Sequence, residues 1–478
     1  MFLNGLTTML RHGASSLLAF AGLVSSQTVD TSWYPPKQTR INNLTAVLSD
    51  SGTYGWIFNS SHTPDELYGT YNWRDMPHVR QKEYPFPSKN YELIYVEVIQ
   101  RHHLRTPYSS NAFPIEPPWN CSDVALFYHS QPLSSSFSTT PSYWQLTPPS
   151  FNALPGSGLT GTCLFPQITL PGLQDSFTHG ADLYTVYSSL LPLNPSSVSF
   201  RVTTNQITSQ VASALITPFN LSAPYPLTVQ PPALDSLEPK YLCPLSSSLF
   251  SSIQSSSNPR WAEHLRLLKP LFATLDSISG VRPDDKDFHK SADHYFDNLS
   301  AKQCHSLPLP CSASNPALCI KQKEADLVYR IGQWEYDHVF RSAGPDTLKA
   351  SAASQGVWIA ELAQHLREAI TYRDDDDGGS IKYRHNIAHD GSVSRVLSIL
   401  QADEMVWPGM GAEIVFELWE DNTTQHKHKV RVLFGGRVLK SSNPSLGEMD
   451  MLDLEILLGY FDGLVGKRAE KVRGLCGL

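Results

Sequence analysis

The sequence predicts an α/β fold, on three observations. Glu92 to Ile99 is rich in β-branched residues, with Ile94, Val96 and Val98 alternating on one face. That stretch runs straight into Arg101, His102, His103, Leu104, Arg105, Thr106 and Pro107. The order of apolar strand, charged residue and helix recurs at Val198 to Leu215 and at Ile381 to Gln401, and between those two lies a long stretch of helical periodicity. Open α/β sheets put their ligands at the carboxyl ends of strands, so these strand ends are the candidate site positions.

Two arginines at the end of an apolar strand are costly to place unless something anionic faces them. The residues alone leave two readings open. One is a surface loop whose arginines pair with carboxylates. The other is a phosphate site, in which guanidinium forks hold oxygens and a neutral imidazole between them attacks phosphorus.

At 478 residues the chain suits two or three domains, or one large α/β core carrying an insertion. Its apolar fraction of 41% and charged fraction of 17% suit a globular protein, and 35 prolines imply many stiff connections. A net charge of −8 speaks against a generic nucleic-acid binder, so any anion site has to be a local basic cluster. Residues 1–26 read as a secretory signal peptide: Arg11 is their only Lys, Arg, Asp or Glu, Ala14 to Val24 is apolar, and small Ser25 and Ser26 precede Gln27. No later run has the length of a membrane span, so the expected product is secreted or in the secretory pathway and not membrane-held after signal removal. Sequons at Asn43, Asn59, Asn120, Asn220, Asn298 and Asn422 are glycosylation candidates. Seven cysteines suit three bridges and one thiol. Cys304, Cys311 and Cys319 cluster in a Pro/Ser/Asn-rich loop where a local staple is expected, without the paired spacing of a zinc site.

Residues 27–90 show no sustained period and read as a segment wrapped over the main domain, with Trp33, Trp56 and Trp73 as anchors. Residues 91–220 and 375–478 read as one α/β domain, and 221–374 as a mostly helical cap inserted into it. Helices are expected from about Leu173, where Pro171 and Gly172 punctuate a turn, and at Gln206 to Leu215, Trp261 to Leu275, Gln322 to Phe340, Leu348 to Tyr372 and Gly391 to Gln401. Strands are expected at Val198 to Phe200, Ile381 to Ala388, Ala412 to Trp419 and Lys429 to Leu439, with Gly435 and Gly436 turning the last into a hairpin. A final helix is expected from about Leu446 to Leu464, with Met449, Leu452, Ile456 and Leu457 as its core stripe. The acidic run Asp374 to Asp377 and the basic run His426 to Lys429 read as solvated loops rather than metal sites.

Arg101, His102, Arg105 and Pro107 resemble the RHGxRxP signature of the histidine acid phosphatases, with His103 where that family has Gly. His389 and Asp390, at a strand end with a helix just after and beyond an insertion, are similar to the family's HD motif. Ile168, Thr169, Gly172, Gly180, Leu183 and Tyr187 look like its helix after the first motif. Arg201 resembles an arginine of its phosphate clamp, although Ile207 stands where the family usually carries a further Arg. The resemblance covers about residues 91 to 478, thinly in the cap, and suggests a secreted, fungal-type member of the acid phosphatase and phytase branch.

What the resemblance implies is specific. The fold would be a three-layer α/β/α core of the phosphoglycerate-mutase type with a mostly helical cap. Arg101, Arg105, Arg201 and His389 would bind phosphate, His102 would form a phosphohistidine, and Asp390 would protonate the leaving group. An acid optimum, a small phosphorylated substrate, no cofactor, no metal and no nucleic acid go with it. Phytase-type hydrolysis of inositol phosphates is the alternative activity. A secreted binding protein with a weakened site is the other alternative, and it rests on His103. That residue carries two expectations: a ring turned away from the pocket, or a second imidazole at the pocket rim.

Overall fold

The Tyr91 stretch is the centre of the sheet. In a computed structural model that describes residues 29–53, 75–133, 137–147, 161–222, 224–371, 380–424 and 427–478, strand β1 spans Tyr91–Arg101 and is buried along nearly all its length. The expected signal peptide, Trp56, Asn59, Trp73, Asp374 to Asp377 and His426 lie outside the described residues. On one side β1 pairs in parallel with β5 (Tyr383–Ala388), which pairs in parallel with β4 (Val198–Val202). On the other it pairs antiparallel with β6 (Glu413–Asp421), followed by β7 (Lys427–Phe434) and the short β8 (Arg437–Val438). His428, expected in a solvated loop, is therefore a strand residue facing Glu420.

Pairing register explains the site. Arg101 lies level with Ala388, and Val202 with Ile387, so the carboxyl ends of β1, β5 and β4 finish side by side. The residues that follow them are His102, His389 and Thr203.

The side chains of β1 alternate between two cores. Val96 and Val98 face helices α2 (Leu170–Leu190) and α3 (Gln206–Leu215), against Leu183, Val186, Tyr187 and Val211. Tyr95 and Ile99 face the opposite core, and Ile94 joins them there rather than Val96. The strict alternation expected from the sequence fails at that point because the pairing with β6 shifts register between Leu93 and Tyr95. Helix α2 begins at Leu170 rather than Leu173, with Pro171 inside its first turn, where its missing N–H leaves no hydrogen bond unmade. Gly172 lies so close to the main chain after β1 that a Cβ there would meet the Leu104 carbonyl oxygen at 2.0 Å. That glycine sets how tightly α2 seats the Arg101–Arg105 turn.

The opposite face of the sheet carries α8 (Pro345–Thr371), α9 (Asp390–Ile399) and α10 (Leu454–Val465), completing three layers. Trp358, Ile359 and Leu362 of α8 share the core with Tyr95 and Ile99, and the α8 residue His365 lies 2.9 Å from Glu97 on β1. The stretch expected as the end of the cap is thus a layer of the sandwich: Glu97, buried on the sheet face, needs a polar partner and finds it on α8. The helices α4 (Pro244–Ile253), α5 (Pro259–Ser279), α6 (Asp293–Cys304) and α7 (Gln322–Asp337) continue the same core, and α6 and α7 reach the strand ends with Asp293, Asp297 and Tyr336. Local signals set α5: the Asn258 side chain accepts from the Arg260 and Trp261 amides, Pro259 opens the helix, and Gly280 at φ 77° ends it.

Two further expectations are corrected. The final helix starts at Leu454, because Met451 adopts φ 53° and Leu452–Asp453 pairs with β7 as strand β9; Leu446 and Met449 reach the core from a loop. Asn298, a glycosylation candidate, is fully buried inside α6, donating to the Asn111 carbonyl at 2.9 Å and to Glu116 at 2.8 Å, so no glycan fits there. Asn43, Asn120, Asn220 and Asn422 are exposed.

Residues before β1, with the short helix α1 (Leu44–Ser49), lie along this body, and the short strands β2 (Leu126–Phe127) and β3 (Tyr143–Trp144) pair with each other apart from the main sheet. Lys37 donates to the Asp403 carbonyl, Met76 to that of Met410, and Arg330 of α7 donates to Val47 and Gly52 carbonyls. Three disulfides join Cys121–Cys163, Cys243–Cys476 and Cys311–Cys319, while Cys304 is a buried thiol on α6 rather than part of the loop staple. Among the described residues no helix is long and apolar enough to cross a membrane. Cys243–Cys476 closes a separation of 233 residues. Replacing both cysteines by Ser should lower stability by about 2–5 kcal/mol, read as a lower denaturant midpoint under oxidising conditions.

Candidate active site

The three aligned strand ends open into a polar cavity of about 430 Å³, roofed by the helices above the sheet. Its lining includes Arg101, His102 and Arg105 from the end of β1, His389 and Asp390 from the end of β5, and Trp407 from the loop before β6. Five of the six residues expected to bind phosphate or do chemistry therefore meet in one place.

His102 is buried, and its position defines its tautomer. The Nδ1 nitrogen is 2.9 Å from the His103 carbonyl oxygen, so it carries the proton and donates. Nε2 is left with its lone pair and receives a long contact of 3.4 Å from the Arg105 Nε–H. Burial, then the charges of Arg105 and Arg101 and the His389 ring, hold the His102 imidazole well below its usual pKa. It stays neutral in acid, as an attacking imidazole must.

The two arginines and the His389 ring around it each face a carboxylate. Arg101 Nη2 lies 3.1 Å from Asp390 Oδ2, Arg105 Nη2 3.0 Å from Asp297 Oδ1, and His389 Nε2 3.4 Å from Glu238 Oε2. Arg101 also donates to the Pro408 carbonyl at 2.5 Å, and Arg105 to that of Thr106 at 2.8 Å. His389 is the N-cap of α9 and contacts Thr203 Oγ1 at 3.2 Å. The arginines are thus fixed in direction by their neighbours, with little left to reorganise when an anion arrives.

Asp390 accepts from the Trp407 indole N–H at 2.9 Å and from the Gly391 amide at 2.8 Å. Burial raises its pKa, but Arg101, these two donors and His389 outweigh it and hold the carboxyl at about 2. The ordinary carboxylic acid expected from the sequence is therefore ionised as it stands. Asp293, on the pocket wall at the start of α6, is the opposite case. Burial, then the carboxylates of Asp297, Asp390 and Glu335, push it up to about 7.

Arg201 is not part of this cavity. Val198, Phe200 and Val202 face the α2/α3 core, so alternation turns Arg201 to the other face of β4. There it is held by Glu361 of α8 at 2.8 Å, Asp235 at 3.0 Å, Ser236 at 3.0 Å and Gln230 at 2.7 Å. Ile207 is buried in the α3 face. The further cationic residues that do line the cavity are Lys240 and Arg395.

His103 is not at the pocket rim. Its ring is fully buried and points back into the sheet layer, where Nε2 lies 3.0 Å from His179 Nδ1. The main chain at His103 is not in the left-handed region, so the family's Gly is not needed for conformation here.

Sequence reasoning missed Asp293, Asp297, Glu238, Tyr108, Tyr336, Arg395 and Trp407, all of which line the cavity. Asp293 and Asp297 had a readable signal, being four apart at the start of a helix in a chain whose arginines need partners. Trp407 had none, since only the fold brings its loop beside Asp390.

No protein-family model matches the chain. A segment of 49 residues is 43% identical to human 2-phosphoxylose phosphatase 1, spanning 10% of this chain and 10% of that protein's length. Over 374 residues the chain is 22% identical to counting factor 60 of Dictyostelium discoideum, covering 72% of this chain and 81% of that protein. The fold is similar to that of Hafnia alvei phytase in complex with tartrate, at TM-score 0.50 and 14% identity, over 80% of this chain and 99% of the phytase. The architecture comes first: a three-layer α/β/α sandwich with the fold of the histidine phosphatases. With the sequence relatives added, fold, site and the short matching segment are together similar to those of the histidine acid phosphatases.

Ionising Asp293 adds a negative charge to an anion pocket, where Asp297, Asp390 and Glu335 outweigh the opposing charge of Lys290, so its effect should grow as pH rises through about 7. Asp293→Asn should tighten competitive inhibition by inorganic phosphate at pH 7.5 and leave it unchanged at pH 4.5. Equal effects at both pH values would place Asp293 outside the phosphate's field.

Proposed function

We propose that this protein hydrolyses phosphate monoesters in acid through a phosphohistidine intermediate on His102. The observation that carries the reading is the His102 tautomer, with Nδ1–H donated to the His103 carbonyl and the Nε2 lone pair turned toward Arg105 in the cavity that Arg101 also lines.

Arg101, Arg105 and His389 take the phosphate oxygens, and Arg201 has no part in the clamp. His102 Nε2 forms the bond to phosphorus as the bond to the ester oxygen breaks. Asp390 gives that oxygen its proton. Because Arg101 and Trp407 hold Asp390 ionised as it stands, the acid form depends on the substrate. A phosphate dianion draws on Arg101 and adds negative charge beside the carboxylate, and both changes raise its proton affinity. Water then attacks the phosphohistidine, Asp390 accepts its proton, and inorganic phosphate leaves.

A single phosphate on a hydroxylated carrier fits the cavity better than a densely phosphorylated ring. Beyond the arginines the wall carries Glu238, Asp293 and Asp297 beside Lys240 and Arg395. The Glu238 and Asp297 carboxylates accept hydrogen bonds from carrier hydroxyls but repel further phosphates, while Asp293, protonated in acid, donates to a carrier oxygen without adding charge. The sequence likeness to a phosphatase named for a phosphorylated sugar points the same way, whereas the likeness to a phytase rests on the fold. Three disulfides support an oxidising compartment, hence secretion or passage through the secretory pathway.

His102→Ala should abolish turnover of nitrophenyl phosphate at pH 5 in a folded protein, and the acid-labile phosphoryl label caught on wild type by rapid quench should vanish. Turnover by that variant would sink the mechanism. Asp390→Asn should slow alkyl phosphates by roughly a hundred- to ten-thousand-fold, with a much smaller loss on nitrophenyl phosphate, whose leaving group needs no proton. Equal losses on the two substrates would remove Asp390 from the role of acid.

A further inference from the structure

Directly behind the nucleophile, on the sheet side away from the cavity, is a buried polar chain that the phosphate chemistry does not use. His103 Nε2 lies 3.0 Å from His179 Nδ1, and His179 Nε2 lies 2.8 Å from Glu413 Oε2. Glu413 Oε1 in turn accepts from the Val79 amide at 2.7 Å. The three side chains come from the turn after β1, from α2 and from the first residue of β6, and all three are fully buried. The His78 ring stacks on His179 at 4.0 Å and is held by Asp182 at 2.9 Å. Gly411, at φ +72°, closes the remaining side: a Cβ there would come within 2.5 Å of the His103 ring, and its amide donates to the His102 carbonyl at 3.1 Å.

We infer that His103, His179 and Glu413 are positioning residues that clamp the His103 peptide, and through its carbonyl oxygen fix the tautomer and aim of His102. The inference rests on the phosphohistidine reading. Its logic is one of chain connectivity. The oxygen that accepts the His102 Nδ1–H belongs to His103 itself, so whatever fixes the His103 side chain fixes that acceptor. A glycine there has no side chain to hold, and this chain has instead tied the residue into three elements of the fold.

The direction of the hydrogen bonds follows from the protons. Burial, then the Asp182, Glu417 and Asp75 carboxylates outweighing the Val79 amide, push Glu413 up to about 8, so in acid it carries a proton and donates to His179 Nε2. Burial first, with His78, His103, His385 and Arg80 adding to it, keeps His179 neutral, so its Nδ1–H donates to His103 Nε2. Burial lowers His103 to about 4, with Asp175 opposing and His78 assisting, leaving its own Nδ1–H toward Asp75 Oδ1 at 3.5 Å. Glu413 and His179 then donate in one sense along the chain, toward His103.

The amide isosteres of histidine separate the contacts, because Asn places its NH₂ near the Nδ1 position and Gln near the Nε2 position. The full chain is assayed with nitrophenyl phosphate at pH 5, with thermal unfolding as the control for folding. His103→Gly and His179→Gln should each lower kcat about tenfold to a hundredfold while KM stays within about twofold. The double variant should be no slower than the slower single. His179→Asn, which keeps the donor to His103, should retain more kcat than His179→Gln. Glu413→Gln should keep kcat, since its amide donates as the carboxylic acid does, and Glu413→Ala should lose it. Folded His103→Gly protein with wild-type kcat, a loss confined to KM, or additive losses in the double variant would each overturn the inference. If His103→Gly does not fold, the Glu413→Gln and Glu413→Ala pair decides, and equal kcat in those two overturns it. His102→Ala tests the chemistry itself: turnover in that variant defeats the phosphohistidine reading, whereas its inactivity beside a fully active His179→Gln defeats only the clamp.

Discussion

Two guanidinium groups at the end of an apolar strand are stable only because each is matched. Arg101 faces Asp390 and Arg105 faces Asp297, both within salt-bridge distance and mostly out of water. Desolvating such ions singly is strongly unfavourable, and pairing them in fixed geometry is what lets the site exist at all. The pairing also shapes the chemistry. Asp390 balances Arg101 and is the proposed proton donor, so phosphate binding and proton transfer are tied to the same guanidinium.

The site is shared between layers that fold from distant parts of the chain. The β1 and β5 ends supply the proposed reacting groups His102 and Asp390, while α6 supplies Asp293 and Asp297 to the same cavity. No separate core divides the upper helices from the sheet, since Phe296 and Trp334 of those helices belong to the same packed cluster as Ile99 and Trp358. Phe296 also stacks on Trp407 at 3.9 Å, and Trp407 donates to Asp390. The carboxyl proposed to move the proton is therefore oriented by an indole that α6 packs in place.

What was legible in the sequence follows from what kind of information each feature needs. The Arg101 to Pro107 run, and His389–Asp390 at a strand end, are local patterns, and the α/β class follows from them. Arg201 misled because a strand residue's side is set by register: one step along β4 separates the cavity end from the face under α8. Ile94 misled for a related reason, a register shift that no periodicity reveals. Asn298 carries a sequon whose acceptor is inside the core, which only tertiary packing could disclose. His103 was visible as a departure, but the residues that give it meaning, His179 and Glu413, are 76 and 310 positions away along the chain.

The Cys243–Cys476 bridge turns residues 243–476 into a covalent ring. His389 and Asp390 lie within that ring, along with α4 to α10 and the strands β5 to β9. The strand that ends at Arg101, and the turn after it with His102 and Arg105, lie outside it. The two halves of the reacting set thus belong to topologically distinct parts of one molecule, and what keeps nucleophile and acid opposite each other is the unbroken run of backbone hydrogen bonds between β1 and β5.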